Sequence, residues 1–410
     1  MTPYKLSPSL GTIKEDMIIG RNEEIVNLLK SLRAQSVTLE EIRRMGKTLL
    51  LKKLAYVCNN DLLKEFTEDN FKAVYFSLQG KQNLGEVIDL LIAGLNGLKK
   101  WYQIDLTETL GFIHKIGSAI KPSVGGLEFS IKLPEYHRSW KEVFFKLMED
   151  VAKSLKNKHQ KLVIILDELP IMLWDWYSAG KQQDVKELLD ILRERRQALE
   201  QHGLRFVYCG SIGMKVILRT LRRELKYTGE PTNDMLEYNL KPFAEKDAIF
   251  QMECFLLSGF IIDGDNKMDI FKEIYELCNG LPFYIAAIFV VLQREFNSVL
   301  NGQTVNSAFN LLLDEPSYQN NFNQLVDRIT TYYPTTAHLM IPLLTFISRE
   351  NTDVREDKIR SHFGNERLLI REVLSTLVDD HYLLRTVEDE VRVYRFKYKI
   401  FKKWWQINIA

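Results

Sequence analysis

Apolar positions along the chain change period several times, and the changes divide it into elements. Residues Gly20 to Leu32 place Ile25, Leu28, Leu29 and Leu32 on one helical face. Ser36 to Leu39 is a short β-rich run, and from Thr48 the spacing turns helical again through Leu49, Leu50, Leu51, Leu54 and Val57. Ala73 to Leu78 predicts a second strand, Leu84 to Leu98 a helix, and Trp140 to Leu155 another helix. Between them Tyr102 to His137 is less regular, but Gly126 to Leu133 alternates as a strand does and predicts a hairpin insertion near 102–137. Leu162 to Leu166 (LVIIL) and Leu204 to Cys209 (LRFVYC) are continuous apolar runs, with an amphipathic helical stretch, Gln183 to Gln201, separating them. Uninterrupted runs of this kind suit strands covered on both faces. The order β-α, β-α, β-α, β predicts an α/β domain with a mostly parallel sheet over residues 1–242.

Beyond Lys241-Pro242 the strand signals stop. Ala244 to Asp327 reads as helices broken at Asp263-Gly264-Asp265 and Gly280-Leu281-Pro282, which predicts a helical domain over 243–335. Residues 336–410 form a third unit, with helical faces around Leu339–Ile347, Asp357–Phe363 and Leu368–Val378 followed by alternating runs Tyr382–Val387 and Val391–Phe396. That pattern, helices followed by a two-stranded wing, matches a winged-helix module. The chain's 410 residues and 46% apolar content leave room for two or three such domains.

Composition narrows the field. With 27% charged residues and a formal net charge of +1, no global bias toward nucleic acid or membrane exists. The N-terminal stretch MTPYKLSPSLG has no apolar core of a signal peptide, and the longest apolar run, Phe283 to Leu292, falls short of the ~20 residues that span a bilayer. The four cysteines, Cys58, Cys209, Cys254 and Cys278, have no metal spacing and read as reduced core thiols, so a cytoplasmic protein is expected. The seven histidines are scattered without paired spacing.

Candidate chemistry gathers at strand ends. After the first strand comes Glu41-Ile42-Arg43-Arg44-Met45-Gly46-Lys47-Thr48, which fits the GxxxxGK[ST] phosphate loop except that Glu41 replaces the opening glycine. In such a loop successive backbone N–H groups curl around a β-phosphate at a helix N-terminus. Gly46 lets the backbone approach, Lys47 supplies charge to the phosphates and the Thr48 hydroxyl ligates Mg²⁺. None of these roles needs a side chain at position 41, and Arg43 and Arg44 can offset its carboxylate. Asp167-Glu168 closes the LVIIL strand, where a Mg²⁺-ordering Asp and a water-orienting Glu are expected. Ser211 closes the next strand, either as a residue that senses phosphate or positions water, or as a helix N-cap.

Together these motifs resemble the STAND and archaeal-type ATPases of the AAA+ P-loop superfamily, along nearly the whole chain. Gly20-Arg21 with Glu24 resembles the family's GRExEL element, whose backbone borders the adenine, and Ile42 to Thr48 resembles its GxRRxGKT loop, with Leu49 where Ser is common. Ile164 to Leu169 resembles the Walker B strand, and Gly280-Leu281-Pro282 resembles the turn of the helical lid that closes on adenine. The stretch from Tyr394-Arg395-Phe396 to Trp404-Trp405 is similar to the family's winged-helix tail.

The resemblance implies that Gly20, Arg21, Arg43, Arg44, Met45, Gly46, Lys47, Thr48, Leu49 and Pro282 hold ATP or ADP. Thr48 and Asp167 would order Mg²⁺, and Glu168, Lys47 and Ser211 would serve catalysis. It implies a signalling or defence switch that works through a protein partner or self-assembly, since no effector-enzyme motif is present. Two rivals stay open, a non-hydrolysing nucleotide-bound scaffold or winged-helix DNA-binding adaptor, and a loader assembling on DNA. A trans-acting arginine is open among Arg219, Arg222 and Arg223, which otherwise form a solvated basic face. Lys397, Lys399, Lys402 and Lys403 beside Trp404 and Trp405 are candidates for DNA contact. Trp174-Asp175-Trp176-Tyr177 reads as core packing, with a partner surface as the alternative.

Overall fold

A computed structural model describes residues 2–11, 13–97, 104–115, 119–121, 130–132, 137–156, 160–264, 266–364 and 367–410. The chain divides into two compact units, one of Asn22–Glu40 with Lys47–Leu240, the other of Met1–Arg21, Glu41–Gly46 and Lys241–Ala410.

The first unit is built on five parallel strands in the order β2-β5-β6-β1-β7. They are β1 (Val37–Glu40), β2 (Phe71–Ser77), β5 (Lys161–Asp167), β6 (Leu204–Cys209) and β7 (Leu236–Asn239). β5 pairs with β2 from Phe71↔Lys161 to Ser77↔Asp167 and with β6 from Leu162↔Leu204 to Leu166↔Tyr208. Six successive residues of β5, from Leu162 to Asp167, are buried, as a strand with both faces covered requires. One apolar core joins β2, β5 and β6 to the helices Leu84–Gly97, His137–Lys156, Gln182–Leu199 and Met214–Leu225. Trp176 lies in that core with its indole N–H donating to the Lys81 carbonyl at 2.7 Å, so the aromatic cluster after β5 is packing at this position.

The edge strand β7 was not expected. Its LEYN sequence is short and largely exposed, so it carries neither an apolar run nor a clean alternation. The predicted hairpin insertion falls partly outside the described residues. Within them β3 (Ala119–Lys121) and β4 (Ser130–Lys132) pair antiparallel, and a helix, Thr107–Lys115, precedes them.

The second unit is mainly helical. Helices Glu245–Leu256, Lys267–Cys278, Pro282–Glu295, Gly302–Asp314 and Gln324–Tyr332 follow one another, with a two-residue parallel pair, β8 (Ile261–Ile262) and β9 (Val299–Leu300), among them. Gly280 turns the chain between two of these helices at φ +66°. A Cβ there would stand 2.8 Å from the Phe243 carbonyl oxygen, so glycine is required by both conformation and space.

Helices Ala337–Arg349, Glu356–Phe363 and Arg367–Asp379 follow, with an antiparallel sheet in the order β10-β12-β11 and a last helix, Lys399–Asn408. β10 is Val354–Arg355, β11 Leu383–Glu388 and β12 Val391–Phe396. The sheet therefore has three strands where two were expected, β10 being too short to show periodicity. Trp404 and Trp405 are 2% and 0% exposed. Trp404 stacks on Phe322 at 5.6 Å, and the Trp405 indole N–H donates to Thr345 Oγ1 at 3.0 Å. These tryptophans are core residues of the last helix, which removes the aromatic half of the basic-aromatic patch.

Candidate phosphate-binding site

In the first unit the strand ends converge on Asp167. Parallel strands share a direction, so the C-terminal ends of β5 and β6 lie together and the helix opening at Lys47 starts from the same edge as β1. Thr48 Oγ1 donates to Asp167 Oδ2 at 2.8 Å, and the Tyr75 hydroxyl donates to the same oxygen at 2.7 Å. The Glu168 backbone N–H donates to Asp167 Oδ1 at 3.1 Å. Burial raises the Tyr75 hydroxyl above its usual pKa, and the Asp167 charge raises it further, so Tyr75 stays protonated as a donor. Tyr75 was not singled out from the sequence. Its place in an apolar strand pattern is indistinguishable from that of any half-buried strand tyrosine.

Glu168 leaves β5 in the left-handed region, at φ 60°. Its carboxylate meets Ser211, whose N–H donates to Oε2 at 2.9 Å and whose hydroxyl stands 3.0 Å from Oε1 and 2.9 Å from Oε2. Ser211 thus holds the Glu168 side chain and does not cap the helix at Met214, whose cap carries no side-chain bond. The N–H of Met214 instead donates to Glu40 Oε1 at 3.2 Å. Lys47 is buried; burial first and the Asp167 charge next raise the Cys209 thiol well above its usual pKa, and the Lys47 charge opposes them. Leu49 is half-buried in the first turn of the Lys47–Asn59 helix.

Thr48 and Asp167 fit a Mg²⁺ site. Mg²⁺ takes hard oxygen ligands, commonly one or two from protein with substrate phosphates and water completing the octahedron. A hydroxyl and a carboxylate oxygen 2.8 Å apart are a donor pair of that kind. Among the described residues no cluster of three His, Cys, Asp or Glu side chains forms a metal cage.

The second unit holds the loop residues Glu41–Gly46. Arg21 is buried and donates to the Met45 carbonyl at 2.8 Å and to the Lys241 carbonyl at 2.6 Å, with its guanidinium 4.6 Å from the Phe243 ring centroid. Its side chain therefore fixes loop backbone. Gly20, just before it, has φ +63° and faces Asp247. Arg44, at φ 72°, lays its guanidinium 3.9 Å from the centroid of Phe283, and burial lowers its pKa. Ile42 and Met45 are buried, while Arg43 is exposed. Gly46 has φ +83°, a conformation that side-chain-bearing residues rarely adopt, and the nearest atom to a Cβ built there is Pro282 Cγ at 3.9 Å.

Of the proposed basic residues, Arg222 pairs with Glu230 and Arg223 with Glu224, both on exposed helix surface. Lys402 donates to the Glu350 carbonyl at 2.5 Å, and Lys399 and Lys403 are exposed. Among the described residues no helix is long and apolar enough to cross a membrane.

No family model and no curated protein matches the chain. Among solved structures, it is similar to Aeropyrum pernix ORC2, solved as ADPNP–ADP complexes, with 13% identity, 92% of this chain and 89% of that one covered, and a TM-score of 0.49. It is also similar to Aeropyrum pernix ORC1 solved in complex with DNA, at 12% identity, 95% and 92% coverage and a TM-score of 0.39. A third likeness is to a RuvB mutant of Thermogota maritima, at 13% identity, 96% and 97% coverage and a TM-score of 0.37.

Proposed function

We propose that this chain binds ATP with Mg²⁺ at residues 41–48 and hydrolyses it slowly, as an AAA+ ATPase of the STAND type acting as a switch on a protein partner or on its own assembly. The observation that supports the reading most is the contact of Thr48 with Asp167, which brings the end of the phosphate-loop motif to the acidic end of β5.

In this reading Lys47 and the loop amides hold the phosphates, and Thr48 and Asp167 hold Mg²⁺. When bound, that ion would neutralise charge developing on the phosphate oxygens. Tyr75 holds the Asp167 carboxylate in place. Glu168 orients the attacking water and accepts its proton, and Ser211 positions Glu168. The Ser211 contacts hold the Glu168 carboxylate while each of its oxygens keeps a lone pair for water.

The loop 41–46 belongs to the same compact unit as 241–410, and in this reading that unit would respond to nucleotide at the loop. Residues 336–410, read as a winged helix, would carry the output. DNA is a second partner for that module. With Trp404 and Trp405 in the core, contact would fall to lysines such as Lys399 and Lys403 rather than to stacking rings.

Turnover decides between a switch and a static scaffold. Purified wild type should release phosphate from ATP only with Mg²⁺ present, and Lys47→Ala should release none. A wild type as inert as Lys47→Ala would leave the scaffold reading in its place. Ser211→Ala should slow turnover by about tenfold, a fraction of what a positioned base contributes, with ATP affinity within about twofold of wild type. Unchanged turnover in steady-state assays would remove Ser211 from the mechanism.

A further inference from the structure

Glu41 stands where a phosphate loop ordinarily opens on glycine, and its side chain is buried within the second unit. Its Oε2 lies 2.5 Å from Lys397 Nζ, which follows directly after β12. Its Oε1 accepts the Ile42 N–H at 3.0 Å and lies 3.8 Å from His381 Nδ1. Lys397 Nζ also lies 3.1 Å from His381 Nδ1. The Tyr398 hydroxyl, next in sequence, is raised above its usual pKa by burial and then by the Glu41 charge. A buried carboxylate at the mouth of a phosphate loop is unfavourable twice over, through its own desolvation and through repulsion of the anion the loop must admit. The ammonium of Lys397 answers both.

We propose that Lys397 is a positioning residue for the phosphate loop, holding and neutralising the Glu41 carboxylate so that residues 42–46 keep their curl and present no uncompensated negative charge to the phosphates. The inference rests on the reading of 41–48 as an ATP site and adds a dependence of that site on a residue 356 positions away. It makes Glu41 and Lys397 a matched pair, and it links loop geometry to the junction between β12 and the last helix. A movement of that junction would alter nucleotide affinity.

The test is calorimetric titration of Mg-ATP into the full chain as wild type, Lys397→Ala, Lys397→Arg, Glu41→Gly and the Glu41→Gly, Lys397→Ala double variant. Lys397→Ala should weaken binding at least about tenfold, Lys397→Arg should recover most of the loss, and the same alanine change on the Glu41→Gly background should move Kd by less than about twofold. A general structural role for Lys397 would not vanish with Glu41, so the double variant separates positioning from folding. Should Lys397→Ala not fold, Lys397→Met carries the same comparison with the side-chain length kept. Wild-type affinity in Lys397→Ala, or an equal loss on the Glu41→Gly background, would overturn the inference and leave the ATP reading intact. A folded wild type that binds no ATP would remove both.

Discussion

Replacing Glu168 by glutamine should lower ATP turnover by about 10²–10⁴-fold, the range expected when a positioned general base is lost, while ATP affinity stays within about threefold. The substitution keeps the shape of the side chain. It also keeps an acceptor for the Ser211 donors that engage both carboxylate oxygens. What it removes is the negative charge that draws a proton from water. Asp167, with Thr48, Tyr75 and the Glu168 N–H around it, is unaltered, so the proposed Mg²⁺ and phosphate contacts remain. Single-turnover phosphate release alongside nucleotide binding checks this. Loss of binding together with turnover would mean that Glu168 supports the site structurally, and full turnover would place the base elsewhere.

The second large effect is on stability. Arg328→Ala should destabilise the region around helices Gln324–Tyr332 and Arg367–Asp379 by about 3–5 kcal/mol, the cost of leaving one member of a buried ion pair without its partner. Arg328 pairs with Asp380, and both are buried. The guanidinium lies 5.9 Å from the centroid of Tyr382, whose hydroxyl donates to the Leu325 carbonyl at 2.7 Å. Cutting the arginine therefore takes the Arg328 charge away from Asp380 in a site with little access to water. Arg328→Met combined with Asp380→Leu should lose far less, because an apolar pair of similar volume is often neutral relative to a buried ion pair. Hydrogen exchange of the amides in the two helices, read at several denaturant concentrations, measures both variants without requiring the whole chain to unfold in one step. Equal losses in the single and double variants would show that the ion pair itself holds this region, since the double variant keeps the packing volume and removes only the charges.

The parts of the fold that could be read in advance are those with strong local signals. LVIIL and LRFVYC are apolar without interruption because β5 and β6 are interior strands of a parallel sheet, and they occur as strands within a residue of where the pattern ends. The helix at Lys47 was readable from Leu50, Leu51, Leu54 and Val57, which are its buried face. The two-residue strands β8, β9 and β10 were invisible, since no period can be established over two positions, and the four-residue β7, unlike the buried β1 of equal length, is largely exposed.

The site shows the same division. Thr48 and Asp167 were paired from motif spacing and stand in hydrogen-bond contact. Ser211 was left between two roles, and only the three-dimensional arrangement shows it engaged with Glu168 rather than with its own helix. Tyr75 carried no signal, because a strand tyrosine reveals its partner only after the strands are ordered. Arg21 was read through the backbone of its motif, yet its side chain fastens the Met45 carbonyl. Glu41 was read as a departure from pattern to be offset by Arg43 and Arg44. Its carboxylate pairs with Lys397, which no local pattern could supply. Arg44 lies against Phe283 instead.

The most direct measurement is equilibrium binding of ATP by the purified, folded wild-type chain, with and without Mg²⁺, beside Lys47→Ala. The account predicts saturable binding by wild type that Mg²⁺ strengthens and that Lys47→Ala loses. No measurable binding by wild type, or equal binding by Lys47→Ala, would contradict the assignment of residues 41–48 as a nucleotide site.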